Sequence, residues 1–200
     1  MSDLLYQATL HPQQMLTNIA PFMEKMKQLA QLAHIELQDF QIDHIALRIN
    51  DEALAELARA AWGEYGEEIS SAQINGRPII VFQFHPPLVI ETWEIECLEL
   101  PYPVQGKRYP EQNWEHIEVV IPASGDTAPA YLDSLMKRYP NMAKAWSQFD
   151  ALGVNVKLSS PQGAGERLAN PTIALKWQGV TLKIHPHSLK QVIESERGGQ

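Results

Sequence analysis

Two histidines occupy equivalent places in two stretches of alternating sequence. His44 lies in FQIDHIALRIN (40–50), and His116 lies in WEHIEVVIP (114–122). Two imidazoles and a carboxylate with open coordination positions suit Fe(II), Mn(II) or Zn(II). The pair therefore predicts a divalent metal site, although a single histidine on an alternating strand is more often a core or surface residue with no ligand.

Charged residues follow each histidine on the same strand face. Arg48 is four residues past His44, about 13 Å at the rise of a strand, and could clamp a carboxylate substrate or close an ion pair at the rim. Glu118 is two residues past His116 and could be a ligand, a partner that orients an imidazole, or a base. Glu118 could equally pair with Lys183, and a desolvated Lys183 could itself act as an acid or base.

The elements that must position these residues form a pattern that occurs twice. A strand at 40–50 precedes a helix at 51–62, for which Asn50 or Asp51 is a plausible N-cap. A hairpin split at Asn75-Gly76 follows, and then a strand at 88–100. The second copy has a strand at 114–122, a helical pattern at 127–149 interrupted near Pro140, three strands (VNVKLSS, PTIALKWQ and GVTLKIHP) with a loop at 160–171 between the first two, and the short helix SLKQVIESE.

This repeat of strand, helix and three strands predicts an α+β fold built from two βαβββ modules. Helices precede the modules, since apolar residues recur at helical spacing over 12–37, with a break or restart expected at Pro21. The predicted organisation is one compact domain with four segments. They are a helical segment at 1–39, a first module at 40–103, a linker at 104–113, and a second module with a C-terminal helix at 114–200.

Composition narrows the class of protein. The chain has 200 residues, 44% apolar and 20% charged, with a net charge of −8. This balance excludes a wholly disordered chain, and the acidity argues against nucleic acid or an anionic membrane as a partner. The single cysteine, Cys97, excludes an internal disulfide framework. With no secretory signal or membrane-spanning run recognisable, we expect a cytoplasmic protein.

Several sequence blocks resemble a known family. Two modules that each open with a histidine strand are similar to the vicinal oxygen chelate superfamily, which includes glyoxalases, extradiol dioxygenases, epimerases and bleomycin-resistance proteins. From about residue 40 onward, the more specific blocks resemble the YecM family. These blocks are DHIALR (43–48), INGRPI (74–79), ELPYP (99–103), KRYPEQNWEHIEVVIP (107–122), and ERLANPTIALKW through KIHPHS.

The resemblance implies that the two modules form a curved mixed sheet, with a metal site in a cleft between two half-barrels. First-strand histidines and last-strand carboxylates of this superfamily bind a divalent metal, so His44 and His116 match the ligand histidines. The carboxylate of the first module could be Glu96 or Glu99, which point to opposite sides of an ideal strand, and Glu99 is favoured. In the second module the expected glutamate position holds Lys183, which departs from a four-ligand glyoxalase-type site. His185 follows two residues later.

The leading hypothesis is a metal-dependent isomerase, lyase or oxygenase that acts on a small carboxylate or oxo-acid, with divalent Fe, Mn, Zn or Ni as its cofactor. The residues assigned to the metal are His44, Glu99, His116 and His185, those assigned to substrate binding are Arg48 and Arg77, and those assigned to catalysis are Glu118 and Lys183. The alternative is a non-catalytic protein that binds a small molecule in the same cleft without metal, which Lys183 favours because a lysine repels a divalent cation. A third is an interaction module that covers a partner with its N-terminal helices.

Overall fold

The computed structural model describes residues 2–74, 76–160 and 168–197. In these ranges the helices are α1 Ser2–Gln7, α2 Pro12–Thr17, α3 Ala20–Leu32, α4 Glu52–Trp62, α5 Ala128–Arg138, α6 Pro140–Trp146 and α7 Leu189–Arg197. The strands are β1 Ile42–Arg48, β2 Gly66–Ile74, β3 Arg77–Ile90, β4 Trp93–Pro101, β5 Asn113–Val120, β6 Asn155–Ser159, β7 Thr172–Trp177 and β8 Val180–His185. None of the helices described is both long enough and apolar enough to cross a bilayer.

The order of elements confirms the predicted α+β fold. A strand, a helix and three strands (β1-α4-β2-β3-β4) are followed by β5, the helices α5 and α6, and again three strands. Each copy opens with the strand that carries the predicted histidine. The backbone contacts divide the chain into two compact units, one of Met1–Met23 with His44–His116 and one of Glu24–Asp43 with Ile117–Gln200. The module and linker bounds given from the sequence stay a prediction.

In the first unit, strand β1 lies next to the last strand of its own module. The strand order there is β2-β3-β4-β1, and β1 pairs with β4 in parallel, with His44 opposite Cys97 and Ala46 opposite Glu99. The other two pairings are antiparallel, as expected for consecutive strands joined by tight turns. The parallel pairing places the side chains of His44 and Glu99 on the same face of the sheet.

Helix α4 begins where the sequence indicates. Of the two N-cap candidates, Asp51 is the cap, because its side chain accepts a hydrogen bond of 2.9 Å from the backbone N–H of Leu54. Ala55, Ala58 and Trp62 are its buried residues, so a narrow stripe of the helix contributes to the core. A capped helix of this kind fixes the point at which the chain leaves β1.

In the second unit, strands β8, β7 and β6 form an antiparallel sheet in that order, with Ala174 opposite Lys183. The predicted interruption near Pro140 is confirmed, since α5 ends at Arg138 and α6 begins at Pro140. The buried hydroxyl of Tyr131 on α5 donates a hydrogen bond of 2.7 Å to the carbonyl of Ile121. Burial raises the pKa of Tyr131, so this hydroxyl keeps its proton.

Two predicted elements are wrong in their bounds. The strand predicted at 88–100 is the end of β3, a turn at 91–92 and then β4, which begins at Trp93. The sequence gives no signal for this turn. Glu91, with φ of 54°, occupies a left-handed position at which glycine or asparagine is usually found. Within the helical stretch predicted at 12–37, the restart expected at Pro21 is confirmed, since α2 ends at Thr17 and α3 begins at Ala20. The predicted end at residue 37 is wrong, because α3 ends at Leu32.

The two predicted loops fall partly outside the described residues. In the hairpin between β2 and β3, Asn75 lies outside them, whereas Gly76 has φ of +77°, the left-handed conformation that the predicted turn needs. Of the loop predicted at 160–171, residues 161–167 lie outside the described ranges.

Candidate metal centre

Three of the predicted metal ligands come together in the first unit. The Nε2 atom of His44 lies 3.3 Å from Oε2 of Glu99, and the rings of His44 and His116 are 5.9 Å apart between centroids at an interplanar angle of 75°. Each of the three offers a ligand atom, and these atoms lie within 4.8 Å of one another. The pairing of β1 with β4 produces the first contact, because it places the two side chains on one face.

The donor set fits a divalent transition metal. Two ligand atoms that each lie about 2.1 Å from one ion are about 3.0–3.4 Å apart in octahedral or tetrahedral geometry. The 3.3 Å between His44 and Glu99 falls in this range. Both imidazoles are buried, whereas the carboxylate of Glu99 keeps 15% of its side chain exposed. Two histidines and one carboxylate with positions left open are the ligands that non-haem Fe(II) prefers.

Glu96, the alternative carboxylate, stands three residues before Glu99 on β4. Since side chains alternate along a strand, the two residues point to opposite faces, and the register of β4 against β1 is continuous over residues 97–99. The structure thus places Glu99 and not Glu96 beside His44.

The carboxylate of Glu115 lies between two of the predicted residues. One of its oxygens accepts a hydrogen bond from Nη2 of Arg48, and the other contacts Nδ1 of His116. Sequence reasoning missed Glu115, because strict alternation puts it on the face opposite His116. Its side chain nonetheless reaches the edge of the neighbouring ring. The only signal in the sequence is that Glu115 and Glu118 flank His116 in WEHIE.

The planar face of the Arg48 guanidinium also packs against an aromatic ring. Its Cζ lies 4.0 Å from the centre of the ring of Tyr109, a cation–π distance, and Nζ of Lys107 lies 4.8 Å from the same centre. The backbone of Tyr109 is fixed by the side chain of Asn50, which donates to its carbonyl at 2.7 Å and accepts from its N–H at 2.9 Å. The segment that carries Tyr109 lies within the predicted linker at 104–113.

Glu118 lies two residues past His116 on β5. In the second unit its carboxylate accepts a hydrogen bond of 2.6 Å from Nζ of Lys183. Its other oxygen is 3.3 Å from Nδ1 of His185. The predicted pairing of Glu118 with Lys183 is therefore present.

Within the part of the chain that the structure describes, His185 does not belong to the group of metal-ligand atoms that includes His44, Glu99 and His116. Its buried ring lies between two carboxylates, 3.3 Å from Glu118 and 3.6 Å from Asp43, with the amide of Asn170 at 3.0 Å from Nδ1. Asp43 also accepts a hydrogen bond of 2.8 Å from the N–H of Leu189, the first residue of α7. This network ties β8 to the start of the last helix.

Arg77, the second predicted substrate residue, begins β3. Its Nη1 donates a hydrogen bond of 2.8 Å to the carbonyl of Tyr102, just past the end of β4. Burial raises the pKa of Tyr102. Arg77 is therefore engaged with the backbone at the end of β4.

The repeated βαβββ fold and the buried His/Glu group describe a two-module α+β protein with a candidate metal centre. Comparison with known proteins gives its family. The chain belongs to the YecM family, since the model of that family, described as YecM protein, matches residues 11–196. This confirms the resemblance on which the sequence interpretation relied, and extends it upstream of residue 40.

Two curated relatives and one solved structure are similar over most of the chain. Protein YecM of Escherichia coli (strain K12) is 35% identical over 185 residues, which are 92% of this chain and 94% of that protein. An uncharacterized protein of Haemophilus influenzae is 30% identical over 182 residues, 88% of this chain and 90% of that protein. A structure titled "Structural Genomics, Protein EC4020" matches with a TM-score of 0.75 and 31% identity, over 94% of this chain and 93% of that one.

Proposed function

We propose that this protein is a metal-dependent enzyme, an isomerase, lyase or oxygenase that acts on a small carboxylate or oxo-acid. The observation that carries the proposal is the convergence of His44, Glu99 and His116, whose ligand atoms lie within 4.8 Å of one another. Two imidazoles and a carboxylate meet at this spacing although they come from three strands. Histidines that only fill a core need no such convergence.

His44, Glu99 and His116 would hold the metal, with Fe, Mn, Zn and Ni as candidates, and Glu118 is a further carboxylate on the strand of His116. When bound, such a metal polarises a substrate oxygen and stabilises the negative charge that develops on it. The proposal assigns His185 to the contact with Glu118 and not to the metal, because its ring lies between Glu118 and Asp43.

Arg48 is the proposed binding residue for the carboxylate of a substrate. A guanidinium carries five N–H donors, so the bond to Glu115 does not exclude a ligand. The ring of Tyr109 fixes the plane of the guanidinium, which lowers the entropy lost when an anion binds. Arg77 is a weaker candidate, since its Nη1 is committed to the carbonyl of Tyr102.

Glu118 and Lys183 are the proposed residues for proton transfer. The ammonium of Lys183 donates to Glu118 at 2.6 Å, and Lys183 keeps 25% of its side chain exposed while Glu118 keeps 9%. A pair with one member open to solvent can exchange a proton with water and pass it to a buried carboxylate.

Metal analysis of the purified protein tests the proposal. The wild type should contain about one equivalent of a divalent transition metal per chain after exposure to Fe(II), Mn(II), Zn(II) and Ni(II), as one three-ligand site requires. The double variant His44→Ala/His116→Ala should contain almost none. The control His34→Asn/His85→Gln removes two exposed imidazoles and should bind like the wild type. Equal and negligible metal in all three proteins would overturn the proposal.

A second candidate function, the binding of a small molecule without metal, is favoured by one contact. Nζ of Lys183 lies 2.6 Å from Glu118, so the carboxylate that follows His116 on β5 already has a cationic partner. Such a binder should be stabilised against heat by small carboxylates to the same extent with and without a chelator. An enzyme that uses the metal to hold its substrate should lose this stabilisation when the chelator is added.

A further inference from the structure

Glu115 contacts both Arg48 and His116, and neither composition nor family resemblance assigned it a role. We propose that Glu115 is the positioning residue of the candidate metal centre. It holds the ring of His116 as the tautomer protonated on Nδ1, which leaves the lone pair of Nε2 for a metal. The metal part of this proposal rests on the proposed function.

The tautomer follows from the donors and acceptors present. A neutral imidazole has one N–H and one lone pair, whereas an ionised carboxylate can only accept hydrogen bonds. The nitrogen of His116 that faces Glu115 is Nδ1, so Nδ1 must carry the proton. The lone pair is then on Nε2. Carboxylates that orient ligand histidines in this way are common in metal sites, and they also raise the basicity of the ring.

Glu115 is in turn held by a series of contacts that begins in the segment before β5. Asn50 fixes the backbone of Tyr109 through two hydrogen bonds, and the ring of Tyr109 supports the guanidinium of Arg48 at 4.0 Å. Arg48 binds one oxygen of Glu115, which leaves the other for His116. Each contact removes freedom from the next residue, so the orientation of His116 depends on a segment outside the strands.

A purely structural role for Glu115 predicts a different result. Arg48 and Glu115 keep 16% and 18% of their side chains exposed, so this ion pair is largely shielded from solvent. If Glu115 has only a structural role, its removal should lower the melting temperature and leave the metal affinity of the folded protein unchanged. If Glu115 orients His116, the same change should lower metal affinity strongly.

Co(II) alone is the probe for affinity. The variant Glu115→Ala should bind Co(II) about 10–100-fold more weakly than the wild type, the usual cost of losing a partner that orients a ligand histidine. Glu115→Gln should lose less, because its amide oxygen can still accept from Nδ1. The control Glu111→Ala removes an exposed carboxylate a few residues away and should leave affinity unchanged. Unchanged affinity in Glu115→Ala would overturn the metal role of Glu115.

Nitrogen NMR of the metal-free protein tests the tautomer independently of any metal. In the neutral state of its ring, His116 should be protonated on Nδ1 in the wild type and should lose this preference in Glu115→Ala. Protonation of His116 on Nε2 in the wild type, or no change in the variant, would overturn the inference. A wild type that binds no Co(II) would overturn the proposed function and the metal role of Glu115, while the NMR result still decides whether Glu115 sets the tautomer.

Discussion

The imidazole of His44 lies 3.3 Å from the carboxylate of Glu99 because their strands, β1 and β4, pair in parallel. Glu96 is the carboxylate three residues earlier on β4, and its side chain points to the opposite face of the strand. This difference gives a matched pair of variants. Both remove one negative charge from β4, and only one of them acts on the face of His44.

Glu99→Gln should reduce affinity for Co(II) by at least about 100-fold, more than the loss of a partner that only orients a ligand. Glu96→Gln should change it by less than about threefold, since a charge on the other face of the strand acts only at a distance. Titration followed by the absorption of bound Co(II) measures both. Equal losses in the two variants would mean that β4 supplies no specific ligand.

Asn50→Ala should release the segment that carries Tyr109. Because a hydrogen bond contributes about 0.5–1.5 kcal/mol net, exchange of the amide proton of Tyr109 should accelerate about two- to tenfold. Asn50→Asp keeps the oxygen that accepts from this amide and should preserve most of the protection. Hydrogen exchange followed by NMR makes the comparison. Identical rates in all three proteins would show that the side chain of Asn50 does not fix the backbone of Tyr109.

Lys183 and Glu118 should be energetically coupled. Lys183→Met leaves a nearly buried carboxylate without its cation, whereas the double variant with Glu118→Gln removes both charges. With the partial exposure of Lys183 taken into account, we expect a coupling free energy of about 1–2 kcal/mol from urea unfolding.

The pair of Lys137 and Asp133 on α5 provides the control for that cycle. Its atoms are also 2.6 Å apart, but both side chains are mostly exposed. The cycle Lys137→Met/Asp133→Asn should give no more than about 0.5 kcal/mol. Similar coupling in the two cycles would show that burial does not strengthen the contact between Lys183 and Glu118.

Tyr131→Phe should destabilise the second unit. The variant removes the hydroxyl that donates to the carbonyl of Ile121 and leaves that buried acceptor without this bond. The expected loss is about 1–2 kcal/mol in the free energy of unfolding, measured by urea denaturation. Tyr6→Phe removes the hydroxyl of an exposed tyrosine and should cost less than about 0.5 kcal/mol. A loss at Tyr131 no larger than at Tyr6 would contradict the prediction.

Local patterns in the sequence were sufficient for the order of elements and for the two histidine strands. Alternation around His44 and His116, the cap at Asp51 and the interruption at Pro140 each depend on neighbouring residues only. The turn at Glu91 could not be predicted, because a glutamate in the left-handed conformation carries no compositional signal. The fold was thus predicted correctly while one strand boundary was not.

The candidate site was harder to predict, because its contacts depend on the register between strands distant in sequence. The sequence alone left Glu96 and Glu99 as alternatives, and the pairing of β1 with β4 separates them. Glu115 was missed for another reason. Alternation describes where a side chain leaves the backbone, whereas the contact of Glu115 with Nδ1 of His116 depends on where a flexible carboxylate ends.

The parallel pairing of β1 with β4 also has a consequence for folding kinetics. These two strands are separated in sequence by α4, β2 and β3, so the contact between His44 and Glu99 closes a long loop and adds to the contact order of the module. Parallel strands cannot pair until the elements between them have turned the chain around. We therefore expect the contact between His44 and Glu99 to be assembled late in folding, so that an ion bound there would stabilise the finished module without nucleating it.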